Sequence, residues 1–396
     1  MIISHLKFVV VMIVLGAALH FEAAGQQERV KSALFIEPKI RTGPVLDIYP
    51  NLPEHDLAIS GEVNIGWQTT GKQYWNEGLK FPQVGILLGV TNLGNPAVLG
   101  QEFSIVPNLA YRFVRSGKFE LLGVVGIGFG WFNKPYDRLT NPENLFIGSK
   151  VTNKTILGFN ADYSISDFFT LSSGVAYLHY SNGHNQLPNV GVNIPSIHLG
   201  LKYFVHGIPE HYQESDTVRP VSKKWLFNVR IGLGVHEFGD PVKPVGGPKY
   251  PIYNGSVYLS KRLGTILNVH AGLHLNYYTS FYDYLQFHNM HDQDRHGKSM
   301  TVIGFGGIEF LMGRFSFTTQ MGLYVYNPTY KEIHGINNDP GKFKEKAKQY
   351  LSYKFGAQYY LLKTMYTTRF NPWLGIFLKS NAGQADFAEI SIGCAF

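Results

Sequence analysis

The chain has 396 residues, of which 44% are apolar, 14% aromatic and 16% charged, with 43 glycines, one cysteine and a formal net charge of +7. So low a charged fraction, against about 25% in ordinary soluble domains, argues against a soluble enzyme, and the absence of an 18-residue apolar run beyond the N-terminus excludes membrane helices. The single Cys394 excludes a disulfide framework and a cysteine-based zinc site, and no phosphate-cradling loop or nucleic-acid motif is present.

Residues 1–25 read as a secretory signal, with Lys7 as the positive n-region, Phe8 to Leu19 as the apolar stretch and Ala23-Ala24-Gly25 as the cleavage site. The rest alternates with a period of two. Trp225, Phe227, Val229, Ile231 and Leu233 oppose Lys224, Asn228, Arg230 and Gly232, while Leu267, Val269, Ala271, Leu273 and Leu275 oppose Asn268, His270, Gly272 and His274. Apolar residues facing lipid and polar or small ones facing inward are the pattern of a membrane strand. Strands are expected near 33–43, 57–68, 82–92, 102–113, 118–131, 153–164, 168–180 and 195–205, then near 224–237, 252–261, 265–281, 300–312, 314–327, 350–362, 372–380 and 385–396. The fold class is therefore all-β, a transmembrane antiparallel β-barrel of about sixteen strands. It divides into halves of eight at 26–206 and 224–396 around a polar connector, 207–223. One large barrel and two tandem small barrels fit equally well.

The turns at 115–117, 165–167 and 313–314 are short, whereas 132–152, 181–194, 238–251, 282–299 and 328–349 are long. Barrels of the bacterial outer membrane place short turns in the periplasm and long loops outside. The last strand alternates through Ile390, Ile392 and Cys394 to Phe396, and it resembles the insertion signal of those barrels.

One strand end carries chemistry. His179 and Ser181 are two residues apart, so an extended backbone sets both on one face, roughly 6–7 Å apart. That face also holds Phe169, Leu171, Val175 and Tyr177, the side expected to meet lipid. An imidazole there can serve as general base to the serine hydroxyl. By parity Asn193 shares the outward face of the next strand with Ile197, Leu199, Leu201 and Tyr203. Its carbonyl oxygen can accept the imidazole N–H and hold the tautomer. The bland alternative for His-Tyr-Ser-Asn-Gly is a turn-forming loop after an interfacial tyrosine. Elsewhere, His288, His291, Asp292, Asp294 and His296 crowd one long loop as a minor metal candidate, and Lys342, Lys344, Lys346 and Lys348 alternate in another as a phosphate-steering candidate. A solvated loop is the simpler account of each, so no metal or cofactor is expected.

From His179 to Asn193 the sequence HYSNGHNQLPNVGVN resembles the active-site hairpin of the outer-membrane lipid A 3-O-deacylases. The resemblance implies His179 as base, Ser181 as nucleophile, and Asn182, Gly183 and Asn189 as motif positions around the oxyanion. The deacylases place a glutamate where this chain has Asn193, and there the pattern is similar to outer-membrane phospholipase A. The implied activity is acyl-ester hydrolysis on lipid A (lipopolysaccharide) or, as the runner-up, on a phospholipid, at the extracellular rim of the outer membrane. A porin or structural barrel with a decayed motif is the non-enzymatic alternative, and a homodimer is left open. In the second half, Phe377-Leu378-Lys379-Ser380-Asn381 lines up with Tyr177-Leu178-His179-Tyr180-Ser181, with the histidine lost.

Overall fold

The computed structural model describes residues 33–71, 73–210, 212, 225–243, 245–334, 343–362, 364 and 370–396. The expected signal segment and most of the connector, 213–224, lie outside the described residues. The described chain forms strands β1 (Ala33–Gly43), β2 (Ala58–Gln68), β3 (Gln83–Asn92), β4 (Gln101–Ser116), β5 (Phe119–Phe132), β6 (Val151–Ser164), β7 (Phe169–Ser181) and β8 (Val192–Phe204). A second series follows as β9 (Trp225–Glu237), β10 (Lys249–Leu263), β11 (Leu267–Tyr278), β12 (Met300–Met312), β13 (Phe315–Tyr326), β14 (Leu351–Tyr360), β15 (Asn371–Asn381) and β16 (Gln384–Ala395).

Two closed barrels of eight strands result, β1–β8 and β9–β16. The first closes where β1 pairs with β8, from Phe35↔Phe204 to Thr42↔Ile197. The second closes where β16 pairs with β9, from Ala388↔Val235 to Ala395↔Asn228. Of the two arrangements the sequence allowed, the tandem one is realised. Closure at the eighth strand pairs the two edge strands of each half with one another, so no edge strand is left to bridge the halves.

Alternation is carried out as expected. On β7, Leu171, Val175 and Tyr177 are exposed while Ser172, Leu178 and Tyr180 are buried. A ring of eight strands encloses just enough room for its own side chains. In the first barrel Arg41 pairs with Glu62 at 3.1 Å, Lys154 with Glu102 at 3.4 Å and Lys202 with Asp162 at 2.5 Å. In the second, Lys354 pairs with Glu389 at 2.8 Å and Lys379 with Asp386 at 2.5 Å. These pairs lie inside the two barrels.

Several sequence expectations change. Residues 69–82 form a long connection at the end opposite the β7–β8 loop and hold α1 (Tyr74–Gly78). The long connections of the second barrel fold into α2 (Thr279–Phe287), α3 (Arg295–Lys298), α4 (Pro328–His334) and α5 (Phe343–Tyr350). The candidate metal loop disperses. His291 faces Glu332 at 2.6 Å, Asp292 pairs with Arg295, and His296 meets the Tyr277 hydroxyl at 2.9 Å. No group of three metal-ligating side chains forms among the described residues. Lys344, Lys346 and Lys348 fall on α5, where residues two apart do not share a face; Lys342 lies outside the described residues. The two hairpins likened in sequence also face opposite ways. Tyr177 and His179 look outward, whereas Phe377 and Lys379 are buried.

Candidate active site at the β7–β8 hairpin

β7 runs to Ser181, and the ladder sets His179 directly opposite Asn193 on β8. The same ladder pairs Tyr177 with Pro195, so Tyr177, His179 and Asn193 project together from the outer wall. The His179 Nδ1–H donates to Asn193 Oδ1 at 2.8 Å, and the Tyr177 hydroxyl donates to the same oxygen at 2.9 Å. Two converging donors require the carbonyl oxygen, not the amide nitrogen, at that point. With Nδ1 protonated, neutral His179 carries its lone pair on Nε2, the form a general base needs.

Ser181 is 4% exposed. Its Oγ accepts from the Asn189 side-chain amide at 3.0 Å and from the Gly183 backbone N–H at 3.2 Å. A hydroxyl has two acceptor positions and one proton. Both acceptor positions are taken, which leaves the proton to be given away. No hydrogen bond joins His179 to Ser181 in this state, and catalytic contacts of this kind commonly tighten only around substrate.

The loop from 182 to 191 is built to present those donors. Gly183 has φ 67° and Gly191 φ 80°, values that L side chains avoid. A Cβ at Gly183 would also stand 2.7 Å from Leu378 Cδ1 of the second barrel. Asn189 accepts the Asn182 N–H on its Oδ1 at 3.1 Å, while the Asn182 side chain donates to Gln186 O at 2.6 Å. Asn182 is therefore committed to the turn, and the donors beside Ser181 are Asn189 and Gly183.

The same loop is gripped by the second barrel through residues 237–241. The Glu237 N–H donates to His184 O at 3.0 Å, and the His184 Nε2–H donates to Gly239 O at 3.0 Å. Burial, the larger influence, holds the His184 imidazole below its ordinary value of 6.5, against the Gly239 carbonyl and the carboxylates of Asp386, Glu237 and Asp240. Folding thus favours the neutral ring. This part of the joint keeps its full strength above pH 6.5 and weakens as the pH falls below it. Amide exchange across 184–189, corrected for intrinsic rates, is expected to quicken between about pH 7 and pH 5.5. Protection that ignores pH in that window would refute this account.

Beside the site an apolar groove of about 940 Å³ runs along the outer wall of the first barrel, lined among others by Tyr111, Phe113, Leu157, Phe159, Val175 and Tyr177. Tyr177 belongs to both features, since its ring lines the groove while its hydroxyl holds Asn193.

The sequence reading missed Tyr177 as a partner of Asn193, although its outward parity was on view. It also missed the whole 237–241 contact, which no local pattern signals. A second serine–histidine contact, Ser280 Oγ to His236 Nε2 at 2.8 Å, lies in the second barrel. The His236 ring is packed among Phe238, Tyr250 and Tyr278, so the pair belongs to the packed interior.

In comparisons with known proteins, residues 61–202 match the family model of lipid A 3-O-deacylase (PagL), and residues 225–396 match that of the acyloxyacyl hydrolase C-terminal domain. No curated protein matches the chain. The crystal structure of the outer membrane enzyme PagL aligns at 18% identity over 41% of this chain and 97% of its own, with a TM-score of 0.33. OccAB1 of Acinetobacter baumannii aligns at 12% identity over 95% and 98%, with a TM-score of 0.21. A triple mutant of the Rhodopseudomonas blastica porin aligns at 9% over 92% and 99%, with a TM-score of 0.16. Scores this low carry no argument, and the fold rests on the closed ladders described above. The first half of the chain is thus similar to the lipid A 3-O-deacylases over residues 61–202, and the second half to the acyloxyacyl hydrolase C-terminal domain over residues 225–396.

Proposed function

We propose that the protein is an outer-membrane esterase that removes an ester-linked acyl chain from lipid A, using Ser181, His179 and Asn193. The observation that carries this reading is the His179–Asn193 pair on the outer wall, two residues from a Ser181 hydroxyl held by the hairpin loop. Asn193 fixes His179 with Nε2 free, and Ser181 keeps its proton while two donors hold its oxygen.

The reaction follows from that set. His179 Nε2 takes the Ser181 proton as Oγ attacks the ester carbonyl carbon. Negative charge moves to the carbonyl oxygen, one bond angle from Oγ, where the Asn189 amide and the Gly183 N–H can turn to receive it. The bond between the acyl carbon and the ester oxygen breaks, and that oxygen, still on the sugar, takes the proton from His179. His179 then takes a proton from water as its oxygen attacks the acyl-enzyme carbonyl; the acyl carbon–Oγ bond breaks, Ser181 Oγ takes that proton back from His179, and the fatty acid leaves. The departing acyl chain lies in the groove beneath Tyr177, in contact with the outer leaflet, with the loop-rich end at the cell surface.

Asn193 supports a second reading, hydrolysis of a phospholipid, because an asparagine at this position is the phospholipase-like variant of the pattern. The purified full chain, reconstituted in vesicles holding both lipid A and phospholipid, decides by mass spectrometry. Loss of one hydroxyacyl chain from lipid A is the expected result. Free fatty acid with lysophospholipid would move the assignment to the second reading, and an unchanged lipid profile would overturn both.

A further inference from the structure

We infer that the second barrel completes the active site of the first, with Glu237 as a positioning residue that acts on Ser181 through Asn189. The inference rests on the esterase reading above and names a part of its machinery that lies outside the hairpin.

Glu237 ends β9 and is 1% exposed. One carboxylate oxygen accepts the Leu187 N–H at 2.9 Å, and the other accepts the Gly247 N–H at 2.8 Å. The carboxylate thus ties its own β9–β10 connection to the catalytic loop of the other barrel. Two residues beyond Leu187, the Asn189 N–H donates to Pro241 O at 2.6 Å. The backbone from 187 to 189 is therefore suspended from the second barrel at both ends. From its far end the Asn189 side chain reaches Ser181 Oγ at 3.0 Å.

Closure of the second barrel does not call on this carboxylate. β9 is held by backbone ladders to β10 and β16, and those bonds are indifferent to the side chain at Glu237. What the carboxylate does hold is a loop 50 residues away in sequence. Without it the Leu187 N–H loses its acceptor, and the 187–189 segment can drift. A displacement of about 1 Å in a group that must meet a developing charge costs on the order of 10²-fold in rate.

The experiment compares wild type, Glu237→Ala, Asn189→Ala and the double variant as full chains in lipid vesicles. Glu237→Ala is expected to lower kcat by about 10- to 100-fold with KM within about threefold, because the acyl groove is untouched. In the Asn189→Ala background the same change is expected to cost less than about threefold, since the group it positions is gone. Amide exchange at Leu187 and Asn189 is expected to accelerate in Glu237→Ala while both barrels keep their heat-modifiable mobility. Should that variant fail to fold, Glu237→Gln preserves the volume and one acceptor oxygen and serves in the same cycle, with a smaller loss. Wild-type kcat and exchange in the Glu237 variant would overturn the inference, as would a loss that persists undiminished without Asn189. A wild type that hydrolyses no lipid would instead sink the esterase reading and, with it, the catalytic part of this one. An active wild type with unchanged exchange in the variant removes this inference alone.

Discussion

Ser181→Ala is expected to lower lipid hydrolysis by about 10³-fold or more and to leave the folded protein intact. The substitution removes the attacking oxygen while the strand backbone stays paired. The Asn189 amide and the Gly183 N–H lose their shared acceptor, a cost of about 1–3 kcal/mol for a buried group. A ladder with twelve register pairs between β6 and β7 is not undone by that. The measurement is product formation by mass spectrometry beside heat-modifiable migration on a gel. A fluorophosphonate probe should label Ser181 in the wild type and not in the variant. Residual turnover within tenfold of wild type would mean that the nucleophile lies elsewhere.

Removing the base or its holder should grade in a definite order. His179→Ala is expected to approach the serine variant, because no other group shares its ladder position opposite Asn193. Asn193→Ala is expected to fall by about 10²- to 10⁴-fold, the scale of losing control over an imidazole tautomer. Its loss frees both the His179 Nδ1–H and the Tyr177 hydroxyl from a shared acceptor. Asn193→Asp restores an acceptor and adds a charge that can stabilise the imidazolium, so it should retain more activity than Asn193→Ala. Single-turnover kinetics on the purified variants read these effects directly. Equal activity in Asn193→Ala and wild type would remove Asn193 from the mechanism and leave His179 to be held by something else.

Much of this site was legible in the residues themselves. The outward direction of His179 and Asn193 followed from counting parity against Val175 and Tyr177 on one strand and Leu199 and Leu201 on the next. Resemblance to the deacylase hairpin drew attention to Asn189 and Gly183, but it gave no direction to their hydrogen bonds. Asn182, which the sequence reading placed around the oxyanion on the same footing as Gly183 and Asn189, spends its amide on Gln186. A turn can satisfy its polar groups in several ways, and only packing selects one. The likeness drawn between the two closing hairpins failed for a related reason. Shifting a strand by one residue exchanges its faces, and Lys379 accordingly points into the barrel.

By itself the sequence determined the alternation, the count of strands, the outward parity of His179 and Asn193, and the asymmetry of many of the turns. All of these depend on neighbours a few residues apart. Tertiary structure decided that the strands close as two rings, that ion pairs lie inside both, and that residues 237–241 grip the loop between β7 and β8. Those outcomes depend on hydrogen bonds between segments far apart along the chain, such as Leu187 to Glu237 and Phe35 against Phe204. A backbone N–H accepts any well-placed oxygen, so its partner is chosen by the folded geometry, and no local pattern records the choice.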